Sequence, residues 1–251
     1  TLDPQVTGVL PVAVGKATRL LEYMEEAGKV YEGEVTIGFS TETEDAEGEV
    51  LETTPVPSTL SDEEIDEVMT HFVGEIQQVP PMYSAVKVKG KRLYEYARAG
   101  QTVERPKRKV TIKSFVRTSP VTFEEDCARF TFRVACSKGT YIRTLAVDLS
   151  HALGYAGHMS KLQRTAANGL NIDQALTLEE VEAMVLADKL DEILQPNEVA
   201  VSDLPRIDVT DEQAAAVRVG KKFEETEFAK LGEGKRFAFF YQEQLIAVYM
   251  R

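Results

Sequence analysis

Apolar residues in this chain recur at two periods, and the switches between them mark out its elements. From Lys29 to Ser40 the apolar positions Val30, Val35, Ile37 and Phe39 keep an alternating pattern, which predicts a strand. Phe130, Phe132, Val134 and Cys136 alternate with Thr131, Arg133 and Ala135, a second half-buried strand. Between them, Ile65, Val68, Met69 and Phe72 form one helical stripe over Ser61–Phe72. Ser61 with Glu64 supplies a capping box at its start, and Gly74 stops it. Thr177 and Glu180 cap a helix to Leu186 in the same way, and a capped helix over Thr210–Val219 ends at Gly220. Lys16–Ala27 has helical character up to Gly28, and Ser137–Leu145 turns into a helix reaching about Leu153, with Gly154 after it. The run Val9–Val14 predicts a buried strand interrupted by Pro11. Gln78–Gly100 predicts a strand, a turn at Gly90 and a short helix. Phe237–Tyr241 and Leu245–Tyr249 predict a hairpin across Gln242-Glu243-Gln244.

Composition sharpens this picture without naming a chemistry. The 251 residues suffice for one large domain and a small one, with 43% hydrophobic and 28% charged residues as in soluble enzymes. No apolar run approaches the ~20 residues of a membrane span, and Thr1 does not open a signal peptide. Cys127 and Cys136 fall in one strand and suit buried thiols in a reducing cytoplasm rather than a disulfide. His71, His151 and His158 lack ligand spacing, so no metal is expected. A net charge of −12, taken alone, argues against a nucleic-acid partner, but the distribution of that charge points the other way. Glu22–Glu75 holds 17 acids against Lys29 alone, whereas Ala85–Arg117 holds 11 bases against Glu95 and Glu104. A local basic surface on an acidic protein follows, unless the run is only a solvated face.

The chemistry candidates begin with Asp3, set between Leu2 and Pro4. Pro4 pushes the preceding residue toward extended backbone, so the carboxylate stays out of any helix. On spacing alone an Asp-Pro pair is ordinary turn chemistry. A phosphate-binding loop over Gly8–Ala17 fails, because Ala17 stands where a metal-binding hydroxyl is required. Lysines, arginines and tyrosines interleave from Met82 to Gly100, and Arg105–Lys109 is the densest basic point. Cations meet phosphates while rings stack on bases, so this stretch suits RNA.

Four separated blocks carry a resemblance. Thr1-Leu2-Asp3-Pro4, Thr7-Gly8-Val9-Leu10-Pro11 and Gly15-Lys16-Ala17-Thr18-Arg19 form the first. Tyr31-Glu32-Gly33 with Gly38–Gly48 forms the second, and Gln78–Lys87 continuing to Gly100 the third. Ser137–Leu145 with His158–Thr165 completes the set. Together they resemble the TruB family of tRNA pseudouridine synthases.

That resemblance implies an α+β fold on a mixed, mostly antiparallel sheet. It implies a catalytic domain over 1–196 with a basic insertion at about 78–110. Pro196–Pro205 would be the linker, and 197–251 a small PUA-like β domain that binds RNA. It implies isomerisation of uridine at position 55 in the T loop of tRNA, with no cofactor and no metal. The enzyme would be a cytoplasmic monomer. The resemblance makes Asp3 the catalytic carboxylate and Arg143 its partner, with Tyr141 as neighbouring support. Tyr31 would stack on the target uracil and Leu162 would line the pocket; because C5 must shed a proton in such a reaction, the Tyr31 hydroxyl is also expected to move one. Lys107, Arg108 and Lys109 would contact the RNA backbone. Chains of this family also carry a further stretch before the first motif, so an N-terminally incomplete chain is expected. A non-catalytic RNA-binding or tRNA-folding protein on the same scaffold is the alternative. A carboxylate-nucleophile hydrolase unrelated to RNA would leave the basic, Tyr-rich stretch unexplained.

Overall fold

The computed structural model describes residues 2–24, 28–224, 227–228 and 235–251. The main strands are β1 (Thr7–Gly8), β2 (Lys29–Ile37), β3 (Phe39–Thr41), β4 (Val50–Thr53), β5 (Gly74–Gln78), β6 (Arg108–Arg117), β7 (Cys127–Cys136) and β8 (Gly157–Ala167). Six of them form one sheet in the order β1-β8-β2-β7-β6-β5. Only β1 and β8 run parallel along this path; the other neighbours are antiparallel. The architecture is the expected α+β with a mostly antiparallel sheet.

Alternation decides which face is core. Val35 and Ile37 on β2 meet Phe130, Phe132 and Val134 on β7, all almost fully buried. Helix α1 (Asp62–Thr70) adds Ile65 and Met69 to that cluster, as its apolar stripe predicts. Its Ser61–Glu64 capping box is formed in both directions. Helix α2 (Leu93–Arg98) closes the basic insertion's short hairpin. Helix α3 (Ile142–Ala152) buries Ile142, Leu145, Ala146 and Leu149 on the same face. Core packing thus fixes the two elements, β2 and α3, on which the candidate chemistry sits.

The chain divides into two compact units. The first gathers Thr1–Leu10, Gly28–Ala167 and Asn171–Asp173; the second gathers Pro11–Ala27, Asn168–Leu170 and Gln174–Arg251. In the second unit, helix α4 (Leu178–Leu186) keeps its Thr177–Glu180 box. Strand β9 (Arg206–Asp208), helix α5 (Asp211–Arg218), β10 (Arg236–Tyr241) and β11 (Gln244–Met250) follow. The central strand β10 buries Phe237 and Phe239 on one side and Ala238 and Phe240 on the other. Its hairpin to β11 turns on Gln242 and Glu243, at φ 49° and 65°. Paired positive φ values match the twist of antiparallel strands. No helix among the described residues is long and apolar enough to cross a membrane.

Three local expectations need correction. Val9–Val14 is no strand: β1 ends at Gly8, and Val12 and Val14 stand exposed. Pro11 lacks a ladder donor, and the segment after Leu10 belongs to the second unit. The helix expected from Lys16 is a 3-10 turn, Gly15–Leu20, followed by a short α-helix, Leu21–Met24; residues 25–27 lie outside those described. Pro196–Pro205 is packed chain, because Asn197–Val201 forms a 3-10 turn that buries Ala200 and Val201 in the second unit's core.

Candidate active site

Asp3 opens a tight turn in which its carbonyl accepts from Val6 N–H at 2.9 Å. Pro4 supplies the fixed φ at the turn's second position. The chain then joins the sheet as β1, with Thr7 opposite Gln163 and Gly8 opposite Arg164. Gly8 is required there: its φ is 115°, and a Cβ would lie 2.1 Å from the Arg164 carbonyl oxygen. The approach of β1 to β8 therefore places the Asp3 carboxylate, half of whose surface stays open.

Arg143 comes from the first turn of α3, where a cation is disfavoured by the helix dipole. Oxygens surround it instead. Nη2 lies 2.9 Å from Asp3 Oδ2 and donates to the Tyr83 carbonyl at 3.0 Å. Nη1 donates to the Thr43 carbonyl at 2.8 Å and lies 3.7 Å from Asp45 Oδ2. With only 6% of the residue exposed, this guanidinium is locked in place by its partners. The start of α3 is itself clamped. Buried Gln78 accepts from Tyr141 N–H at 3.0 Å and donates to the Tyr141 carbonyl at 3.2 Å.

The loop after β3 brings a second group of acids to the same place. Asp45 Oδ1 accepts from Thr43 Oγ1 and from Glu47 N–H. Glu44, at φ 63°, accepts from Thr144 Oγ1 at 2.8 Å. Burial pushes the Glu44 carboxyl up from its ordinary value, against the Thr144 hydrogen bond and the Arg143 charge, which lower it.

A cavity of about 450 Å³ opens over these groups. Asp3, Asp45, Tyr83, Arg143 and Leu162 line it, and Tyr94 and Arg98 of α2 stand at its wall. Arg98 sits one helical turn after Tyr94, its guanidinium 5.2 Å from the ring centre. Among the described residues, no group of three or more His, Cys, Asp or Glu could hold a metal ion. His158 is buried with its Nδ1 3.0 Å from the Phe39 carbonyl, and burial holds its pKa below the usual value.

The expected residues do not all meet in one place. Asp3, Arg143 and Leu162 meet at the cavity. Tyr31 lies on β2 directly opposite Arg164 of β8, at the end of the core face. Burial raises its phenol pKa, while a hydrogen bond from the Arg164 side chain pulls the other way. Leu162 faces Gly33, where any Cβ would come within 3.0 Å of the Leu162 side chain and closer still to Lys161 and Phe132. Tyr141 contributes through its clamped backbone and does not line the cavity. Lys107, Arg108 and Lys109 are exposed and do not line the cavity, and Lys109 pairs with Glu75 at 2.7 Å. Asp45 and Glu44 escaped the sequence as site residues. They lie within one acidic run, and only the fold shows which of its acids find partners in Arg143 and Thr144.

Comparison with known proteins gives the same direction. A model described as TruB family pseudouridylate synthase (N terminal domain) matches residues 1–142. A model of the tRNA pseudouridylate synthase B C-terminal domain matches residues 143–202. The tRNA pseudouridine synthase B of Lactococcus lactis subsp. cremoris (strain MG1363) is 58% identical over 100% of this chain and 84% of its own. The protein of that name from Streptococcus mutans serotype c is 60% identical over 99% of this chain and 83% of its own. Among solved structures, a chain in the crystal structure of a Cbf5-Nop10-Gar1 complex aligns with a TM-score of 0.73 and 29% identity. That alignment covers 99% of this chain and 67% of the other.

Proposed function

The chain belongs to the TruB family of pseudouridylate synthases, and on that premise we propose that it converts uridine to pseudouridine in tRNA, at position 55 of the T loop. The observation that carries this reading is the Asp3–Arg143 pair at the floor of the cavity. An ionised carboxylate needs orientation to act on a sugar, and a bidentate-capable cation gives it. The half-open face of Asp3 is the face a substrate would meet.

The target base is stacked in the T loop and must be extruded before chemistry, at a cost of a few kcal/mol. Leu162 gives it an apolar wall, and Tyr31 the aromatic face expected of this family. Asp3 acts on the ribose, by attack or by deprotonation. The glycosidic bond from N1 breaks, the base turns, and C5 bonds to the sugar. C5 then sheds its proton, the step in which the Tyr31 hydroxyl takes part. Nothing is oxidised or reduced, so the reaction itself calls for no cofactor or metal.

Arg98 and Tyr94 beside the cavity, and Lys107, Arg108 and Lys109 farther out, meet the RNA. Lysines and arginines contribute salt-dependent affinity without reading sequence. The small second unit, with its three-stranded sheet β9-β10-β11, serves as an accessory RNA contact. The proposed working unit is a monomer, and a tRNA substrate suits the cytoplasm.

The test is release of the C5 hydrogen from a tRNA transcript labelled with tritium at uridine C5. One equivalent released per tRNA, lost when uridine 55 is replaced by cytidine, is expected. Binding without release would leave an RNA-binding protein on this scaffold.

A further inference from the structure

Arg164 is buried, with 4% of its surface exposed, yet it carries a full charge into the sheet. An unpaired guanidinium there would cost several kcal/mol, so its partners define its place. Nε donates to the Val9 carbonyl at 2.8 Å. The same side chain hydrogen-bonds the Tyr31 hydroxyl. Its backbone does as much: Val9 N–H donates to the Arg164 carbonyl at 2.8 Å, and Gly8 lies directly opposite. The register shift between Arg164 and Ala166 is a local irregularity of the kind that re-aims a strand's side chains.

We propose that Arg164 is a positioning residue that sets the Tyr31 hydroxyl and the Asp3-bearing segment in one frame. The proposal rests on the synthase reading above. A guanidinium has five donors in a rigid fork and can hold two acceptors at once. Here one acceptor is the phenol oxygen and the other is the carbonyl of Val9, on the segment that Asp3 opens. The phenol oxygen accepts from the arginine, which fixes where that oxygen lies. Lysine offers a point charge on a flexible stem and cannot fix both acceptors in one plane. Arg143 orients the carboxylate; Arg164 orients the phenol relative to it.

A double-mutant cycle between Arg164→Lys and Tyr31→Phe tests this, with single-turnover rates and tRNA Kd as readouts. Arg164→Lys alone is expected to slow the chemical step about 10- to 100-fold, the range of coupling between residues in contact. Kd should stay within about threefold, since the cation touches no RNA in this scheme. In the Tyr31→Phe background the same substitution should cost clearly less than in the wild type, because one of the two acceptors it aligns is already gone and only the Val9 carbonyl remains. Equal losses in both backgrounds, with an active wild type, overturn the proposal and leave the synthase reading intact. A wild type that forms no pseudouridine overturns both. Should Arg164→Lys fail to fold, nitrogen-15 spectra of the arginine side chains decide instead. Tyr31→Phe, which leaves every arginine in place, must shift the Arg164 guanidinium signal, and an unmoved signal overturns the proposal.

Discussion

The cavity around Asp3 and the basic run at Lys107–Lys109 are built on opposite terms. In the cavity, Arg143 is buried, multiply bonded and partnered by segments far apart in the chain: it donates to the Thr43 carbonyl 100 residues before it and meets Asp3, which keeps half its surface open. In the basic run, charges are exposed, and the ion pair formed by Lys109 joins two side chains that are both more than half exposed. Exposed pairs are worth about 0–1 kcal/mol and weaken with salt. A buried guanidinium left without its partners costs several kcal/mol. One region is therefore a matter of geometry and the other a matter of charge, and substitutions should separate them cleanly.

The largest effect belongs to Asp3→Asn. The amide keeps the volume but loses the charge that Arg143 faces and any nucleophilic or basic character. Turnover should fall more than about a thousandfold while tRNA Kd stays within a few-fold, by single-turnover and filter-binding measurements. Residual turnover above that level would move the catalytic role elsewhere. Tyr31→Phe comes next. It keeps the ring and removes the hydroxyl, so loss of proton transfer should cost roughly 10²–10⁴-fold. A platform role alone would spare Tyr31→Phe and cripple only Tyr31→Leu.

Gln78→Ala tests the clamp rather than the chemistry. It strips the Tyr141 backbone of both partners, at about 1–3 kcal/mol for buried groups left unpaired. Urea denaturation should show that loss, and turnover should fall because the start of α3 no longer holds Arg143 in place. An unchanged midpoint would mean the two hydrogen bonds are replaced by water. The smallest effect on chemistry is expected for the triple reversal of Lys107, Arg108 and Lys109 to Glu. Saturated turnover should survive, while the slope of log Kd against log salt drops by about one for each phosphate no longer neutralised. Lys109 already has Glu75, so its share should be the least. An unchanged slope would show the run to be only a solvated face.

Local signals carried most of the fold because they are short-range. The Ser61–Glu64, Thr177–Glu180 and Thr210–Gln213 boxes close over three residues, and each is formed. Alternation placed β2 and β7 because one face of each is buried. The errors came where tertiary partition overrode a local run, as at Val9–Val14 and Pro196–Pro205. In the site, the pairing of Asp3 with Arg143 could be expected only from resemblance, since nothing within either segment encodes a partner so far along the chain. Asp45, Glu44 and Arg164 stayed hidden for a related reason. Their identities are ordinary, and what singles them out is the distant partner the fold gives each: Arg143 for Asp45, Thr144 for Glu44 and Val9 for Arg164.

The parallel pairing of β1 with β8 has a consequence for the order of folding. Val9 and Arg164 are joined across a separation of 155 residues, so the pairing that seats Asp3 closes a very long loop. The entropy of that closure grows only slowly with length, but the partner strand must exist first. During synthesis the Asp3 motif leaves the ribosome well before β8, its partner in the sheet. Long-range strand pairing of this kind is intrinsically slow. A chain that stops short of β8 therefore lacks the strand that seats Asp3, and the cavity around that carboxylate is incomplete until β8 is made.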